Sequence, residues 1–180
     1  AEMTKNAFLS ILLSFLGMIV YVSLRYEFNY AAAGILALLH DVIIALGISV
    51  LLGREMSLVV VAALLTIVGY SINDTIVIFD RIREERHLFP ERDFAEIVND
   101  SLNRTLSRTI LTSLSTLIVV VVMFFFGGIA INDFIMVIMI GMIVGCYSSV
   151  YIAAPIIVAY NKFKGSAGSK APAKSVAITQ

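Results

Sequence analysis

The sequence predicts an all-α membrane protein: five transmembrane helices plus one amphipathic helix on the cytoplasmic side. Three observations carry this prediction. Of the 180 residues, 59% are hydrophobic and 14% charged, where a soluble domain has about 25% charged residues. Mean hydropathy is +0.95. Five apolar stretches, at about 6–24, 30–52, 57–80, 109–127 and 133–160, are each long enough to cross about 30 Å of hydrocarbon. Finally, the basic residues fall almost entirely on one side of those stretches.

The first stretch follows Lys5 and has no small-x-small cleavage site after it, so it reads as a span and not as a signal peptide. Arg25–Asn29 and Gly53–Met56 join the first three spans. Links this short carry no domain and set neighbouring helices antiparallel. The third span runs from Ser57 to Asp80 and opens into the Arg81–Arg108 loop. In that loop Phe94, Ile97, Val98, Leu102 and Leu106 recur at helical spacing with charge between them. Residues about 91–107 are therefore read as an amphipathic helix opened by Pro90. Its surroundings hold six arginines and six acids, a balance that implies no strong binding to anionic lipid. Phe124–Phe126 and Gly127–Gly128 mark the outer end of the fourth span, and Pro155 bends the fifth. Residues 1–164 form the membrane domain, and 165–180, rich in Gly, Ser, Ala and Lys, form a disordered cytoplasmic tail.

Orientation follows from counting. With the Arg81–Arg108 loop inside, that side holds Arg25, Arg81, Arg83, Arg86, Arg92, Arg104, Arg108, Lys162, Lys164, Lys170 and Lys174, against Lys5 and Arg54 outside. Eleven against two places the N-terminus outside and the C-terminus inside by the positive-inside rule. An outer N-terminus at Ala1, followed by an odd number of spans, leads us to expect a further span and an external domain upstream.

Several function classes are disfavoured. Formal net charge is zero, which argues against a nucleic-acid partner. No Gly-rich phosphate loop, paired-Cys motif or HExxH occurs, so no metal, nucleotide or other cofactor is expected. Cys146 stands alone and reads as a small packing residue.

The informative residues are polar ones inside the spans. Asp74, after Asn73, lies about 9 Å deeper than Asp80 on the same helix. An ionised Asp at a membrane helix centre costs about 2.5–3.5 kcal/mol. It therefore faces a partner or a wet path, or is held neutral. Asp80 points about 120° away and reads as an interface charge beside Arg81. Asp41, beside His40 in the second span, is either a proton-handling group or a hydrogen-bonding anchor between helices. On the fourth span Ser101, Arg104, Arg108 and Thr112 recur at helical spacing, as do Thr105, Thr109, Thr112 and Thr116. Arg108 is read as reaching towards Asp74, with snorkelling to lipid phosphate as its bland alternative. Gly141, Gly145 and Ser149 make a small-xxx-small surface for close helix contact.

The run Gly69-Tyr-Ser-Ile-Asn-Asp-Thr-Ile-Val-Ile-Phe-Asp-Arg-Ile-Arg-Glu-Glu85 resembles the most recognisable segment of the SecF family, membrane subunits of the bacterial Sec protein-export accessory complex. Leu-Leu-His-Asp-Val around His40-Asp41, and Leu-Asn-Arg-Thr-Leu-Ser-Arg-Thr at 102–109 running into Gly127-Gly128, are similar to it in the same order. The resemblance spans about 1–163. It implies a helix bundle of the resistance-nodulation-division superfamily, here spans two to six of a six-span subunit, without the first helix and periplasmic domain. It also implies SecD, the SecYEG channel and YidC as partners, in the bacterial inner membrane, with a translocating polypeptide as substrate. The implied work is proton-motive-force-driven, late-stage polypeptide export, with no enzyme chemistry and no cofactor beyond the proton gradient. Carried over by position, the proton relay falls on Asp74 and Arg108, with Asp41 secondary. Asn73, His40, Arg104 and Thr112 support it, and Arg104 is the alternative to Arg108 one turn away. Two other classes were weighed. One is a drug or lipid exporter of the same superfamily. The other is an intramembrane aspartyl protease built on Asp41 and Asp74, which the missing Gly-x-Gly and Pro-Ala-Leu contexts disfavour.

Overall fold

The computed structural model describes residues 2–26 and 28–168. Among these, every regular element is helical: α1 (Glu2–Arg25), α2 (Phe28–Leu51), α3 (Leu58–Leu88), α4 (Phe94–Phe126), α5 (Ile129–Ser148), a π-helical turn (Ser149–Ala153) and α6 (Ala154–Gly168). The all-α expectation holds. Asn29–Leu51, Leu58–Leu88, Phe94–Phe126 and Ile129–Phe163 are long and apolar enough to cross a membrane, and α1 adds a shorter apolar stretch, Leu9–Arg25. Leu13, Ile43, Leu111, Ile118 and Phe125 are all more than half exposed. A belt of that size is solvated by lipid, so this is a multi-pass membrane protein.

The amphipathic segment and the fourth span are one rod, because α4 runs unbroken from Phe94 to Phe126. Nothing between Leu106 and Ile110 breaks a helix, and there is no Gly or Pro in the rod. The last helix reaches Gly168; the rest of the expected tail, 169–180, lies outside the described residues.

The connections are short and chemically specified. Gly53 (φ 72°) and Gly128 (φ 79°) turn the chain at the end of the bundle away from the α3–α4 connection, with left-handed backbone that side chains rarely adopt. Ser57 starts α3 by accepting a hydrogen bond from the Val60 N–H at 3.3 Å, and Asp93 starts α4 by accepting from the Ala95 N–H at 3.1 Å. An Arg54–Asp133 ion pair ties the α2–α3 turn to the first turns of α5.

The bundle is built around α3, which packs against α1, α2, α4 and α5. Its C-terminal half buries Phe79 and Ile82 with Tyr30, Ile97 and Ala153, and its N-terminal half buries Leu64 and Ile67 with Ala45 and Val137. The closest approach is to α5. A Cβ on Gly141 would overlap Ile67, and one on Gly145 would lie 3.1 Å from Ser71 Cβ. The small residues thus act as a packing surface, as their spacing suggested.

Where α5 passes the α2–α3 pair it widens into the π-helical turn, two residues before Pro155. Pro155 has no N–H to give, and its ring would clash with the carbonyl four residues back, at Tyr151. The wider turn absorbs that misfit without a loop.

Candidate functional site

Three carboxylates are buried among the described residues, Asp41, Asp74 and Glu85; the first two lie well inside the apolar runs, on different helices and with different partners. Asp41, on α2, is fully buried. It accepts from Ser71 Oγ of α3 at 2.5 Å and from Ser148 Oγ of α5 at 2.8 Å. The His40 ring approaches its other oxygen at 3.1 Å. A second hydroxyl pair, Thr75 and Ser149, lies 3.0 Å apart one turn further along the same seam. Gly145 keeps room for this cluster, since a Cβ there would crowd Ser71 at 3.1–3.2 Å and touch Asp41.

Asp74 sits on α3, 5% exposed. Its one hydrogen bond among the described residues comes from Ser113 Oγ of α4, at 3.3 Å. Arg108, one and a half turns before Ser113, is close enough to act electrostatically on the carboxylate. It is nevertheless exposed, and among the described residues it closes no ion pair with Asp74. Asp74 is thus a buried carboxylate with one neutral donor and one distant cation, a sparse set for a permanent charge.

The remaining site candidates separate around these two centres. Arg104 pairs with the buried Glu85 at 3.1 Å, and Arg81 reaches the same carboxylate oxygen at 2.6 Å. Arg104 therefore serves the C-terminal end of α3, not Asp74. Thr112 is exposed and returns its hydroxyl to the Arg108 and Thr109 carbonyls of its own helix. Asn73 is exposed on α3. Asp80 is exposed and meets Arg25 at 3.9 Å, as an interface charge should.

Sequence reasoning missed Ser113. The signal was present in Ser101, Thr105, Thr109 and Ser113, an unbroken i, i+4 series whose first three members are buried against α3. Following the arginines towards Thr112 took the neighbouring stripe instead. Asp41 and Asp74 share no hydrogen-bond partner among the described residues, so the shared-proton arrangement of an aspartyl protease has no support here.

Comparison with known proteins gives the family and agrees with the helical fold. Residues 1–163 match the family model described as protein export membrane protein SecD/SecF, C-terminal. The chain belongs to the SecD/SecF protein-export membrane family. It is 46% identical over 170 residues to protein translocase subunit SecF of Koribacter versatilis, covering 94% of this chain and 42% of that one. It is also 46% identical over 171 residues to protein translocase subunit SecDF of Thermus thermophilus, covering 94% of this chain and 23% of the relative. A crystal structure of SecDF in a super-membrane-facing form superposes with a TM-score of 0.87 at 45% identity, covering 95% of this chain and 23% of that one. A second, of the translocon-associated SecDF from Thermus thermophilus, gives 0.86 at 45% identity, covering 88% of this chain and 22% of that one. This chain thus spans less than half of each of these relatives, and its counterpart there is one membrane segment of a larger protein.

Proposed function

We propose that this chain is a membrane module of a Sec protein-export accessory subunit, and that proton binding at Asp74 couples the proton-motive force to polypeptide movement. The observation that carries the reading is the pairing of Asp74 with a single hydroxyl donor, beside an exposed Arg108. Charged Asp74 accepts from Ser113 and draws on Arg108, and protonation weakens both attractions to α4. Each protonation state therefore favours a different position of α4 against α3. One charge moved across 100 mV is worth about 2.3 kcal/mol, enough to bias a two-state element.

Asn73 and Arg108 present exposed polar surface at membrane depth, and lipid cannot satisfy it. A SecD-like helical half covering it would complete the proton path. The relatives named as translocase subunits support this reading, with SecYEG and YidC as further partners and an exported polypeptide as the substrate. In this reading the module comprises residues 1–164, is not an enzyme, and sits in the bacterial inner membrane with the Arg81–Arg108 connection inside. Asp41 acts as the anchor of α2, α3 and α5, and its part in proton transfer is secondary.

The test is Asp74→Asn in the full export complex. Proton-dependent export is lost while the complex still assembles. Undiminished export driven by the proton gradient in that variant contradicts the reading.

A further inference from the structure

The segment from Arg81 to Arg108 is neutral as a sequence, with six arginines and six acids, but the fold sorts those charges. Arg81 takes Glu84 at 2.7 Å and Glu85 at 2.6 Å, Arg104 takes Glu85 at 3.1 Å, and Arg92 takes Asp100 at 2.8 Å and Glu96 at 3.7 Å. Arg83, Arg86 and His87 join no ion pair among the described residues. The Arg86 guanidinium lies over the Phe94 ring at 5.3 Å. It also borders a neighbouring cavity with Glu91 and Asp93, closing an ion pair with neither.

These three side chains line a cavity of about 390 Å³ between the α1–α2 junction and the last turns of α3, with Tyr26, Tyr30 and Pro90 as its other walls. Tyr26 is 6% exposed, yet its hydroxyl oxygen has no hydrogen-bond partner among the described residues. Burial, with Asp80 behind it, pushes the Tyr26 phenol up from its ordinary value, so it keeps its O–H. Asp80 itself is engaged by Arg25 at 3.9 Å. The level of the cavity is set by α3, because Arg83, Arg86 and His87 lie about 4–10 Å beyond Asp80, where the apolar run ends. That is the depth of the headgroup layer. The two tyrosines pack on Phe79 just beneath, as interfacial aromatics do.

We propose that this cavity binds the phosphodiester headgroup of an anionic phospholipid, with Arg83 and Arg86 on the phosphate oxygens and the Tyr26 hydroxyl as a further donor. Two guanidinium groups and a buried O–H suit a singly charged phosphodiester. Leu24 and Leu88, 84% and 61% exposed, flank the lining residues in sequence and offer the apolar surface that acyl chains need and a free phosphate does not. A lipid held here would bridge α1, α2 and α3 at the end of the helix that carries Asp74.

The experiment is native mass spectrometry of the full chain with its companion subunits, released from micelles containing equal amounts of phosphatidylcholine, phosphatidylglycerol and cardiolipin. The readout needs neither export nor Asp74, so it succeeds or fails apart from the proton-coupling proposal. The expected result is preferential retention of the two anionic lipids. In R83Q/R86Q retention falls by about tenfold or more, the effect of two basic residues near an anionic surface. Tyr26→Phe lowers it several-fold, and Arg92→Gln, on an arginine outside the cavity, leaves it unchanged. Wild-type retention in R83Q/R86Q overturns the proposal, as does an equal fall in R92Q. Displacement of phosphatidylglycerol by millimolar inorganic phosphate assigns the site to a free anion and overturns the lipid assignment.

Discussion

Ser148 Oγ donates to Asp41 Oδ2 at 2.8 Å, joining α5 to α2 at the residue before the π-helical turn begins. Ser71 donates to the same oxygen from α3, so one carboxylate fixes three helices against each other. In Asp41→Ala the Ser71 hydroxyl loses its acceptor inside the bundle, and Ser148 keeps only the Gly145 carbonyl at 3.2 Å. The expected cost is about 1–3 kcal/mol, or roughly 2–4 °C in Tm per kcal/mol for a chain of this size. Asp41→Asn retains a carbonyl acceptor and should unfold near the wild-type temperature. Thermal unfolding in detergent separates the two variants, and export by Asp41→Asn then reports any proton-transfer role apart from stability.

Ser113 is the hydroxyl that satisfies Asp74, and a single neutral hydrogen bond is worth about 0.5–1.5 kcal/mol. Ser113→Ala should therefore change the rate of proton-driven export by about two- to tenfold, against complete loss in Asp74→Asn. Export measured against an imposed proton gradient checks this, and a wild-type rate in Ser113→Ala would place Ser113 outside the coupling step.

Glu85 is 1% exposed, and Arg81 and Arg104 both reach its Oε1. Arg81 is the better held of the two, with its side chain 26% exposed against 58% for Arg104. Arg104→Met should cost about 1 kcal/mol or less, because a half-solvated ion pair contributes little. Arg81→Met should cost about 2 kcal/mol or more, since it removes the closer partner of a buried charge. The double variant should exceed the sum, as only then is Glu85 left without a cation. Denaturation midpoints of the three variants test this ranking.

The helical bundle was legible because lipid forces spanning segments to be long, apolar and internally hydrogen-bonded, and all three properties are visible in one dimension. Asp74 and Asp41 stood out for the same reason, as acids in the wrong solvent. What one dimension hides is rotation about each helix axis. Thr112 and Ser113 differ by about 100° on α4, and that angle decides which of them meets Asp74. The destination of long cations was equally hidden. Arg104 and Arg108 are one turn apart and similar in sequence context, but Glu85 claims the first. The even charge count of residues 81–108 also concealed that Glu84, Glu85, Glu96 and Asp100 all pair with Arg81, Arg92 or Arg104, and that no acid pairs with Arg83 or Arg86 among the described residues.

Gly141 faces Ile67 so closely that a single added methyl group would overlap its side chain. Both residues lie in the half of the bundle built on the N-terminal half of α3, where Ile67 packs with Leu64 and Val137. Gly141→Ala must therefore push α5 from α3 or force Ile67 off its rotamer, at about 1–3 kcal/mol. Gly17 and Gly47 have open space around the same added atom. Alanine at either should be neutral or slightly stabilising, since it removes a helix-interior glycine. The distinguishing test is the pair Gly141→Ala with Ile67→Ala. Ile67→Ala alone opens a cavity and costs about 2–5 kcal/mol, but it also clears the space that the new methyl needs. The double variant should therefore be more stable than the sum of the two single losses by about 1 kcal/mol or more. Strict additivity in the unfolding temperatures would mean that the two helices separate here without strain, and that the small-residue surface of α5 does not set its distance from α3.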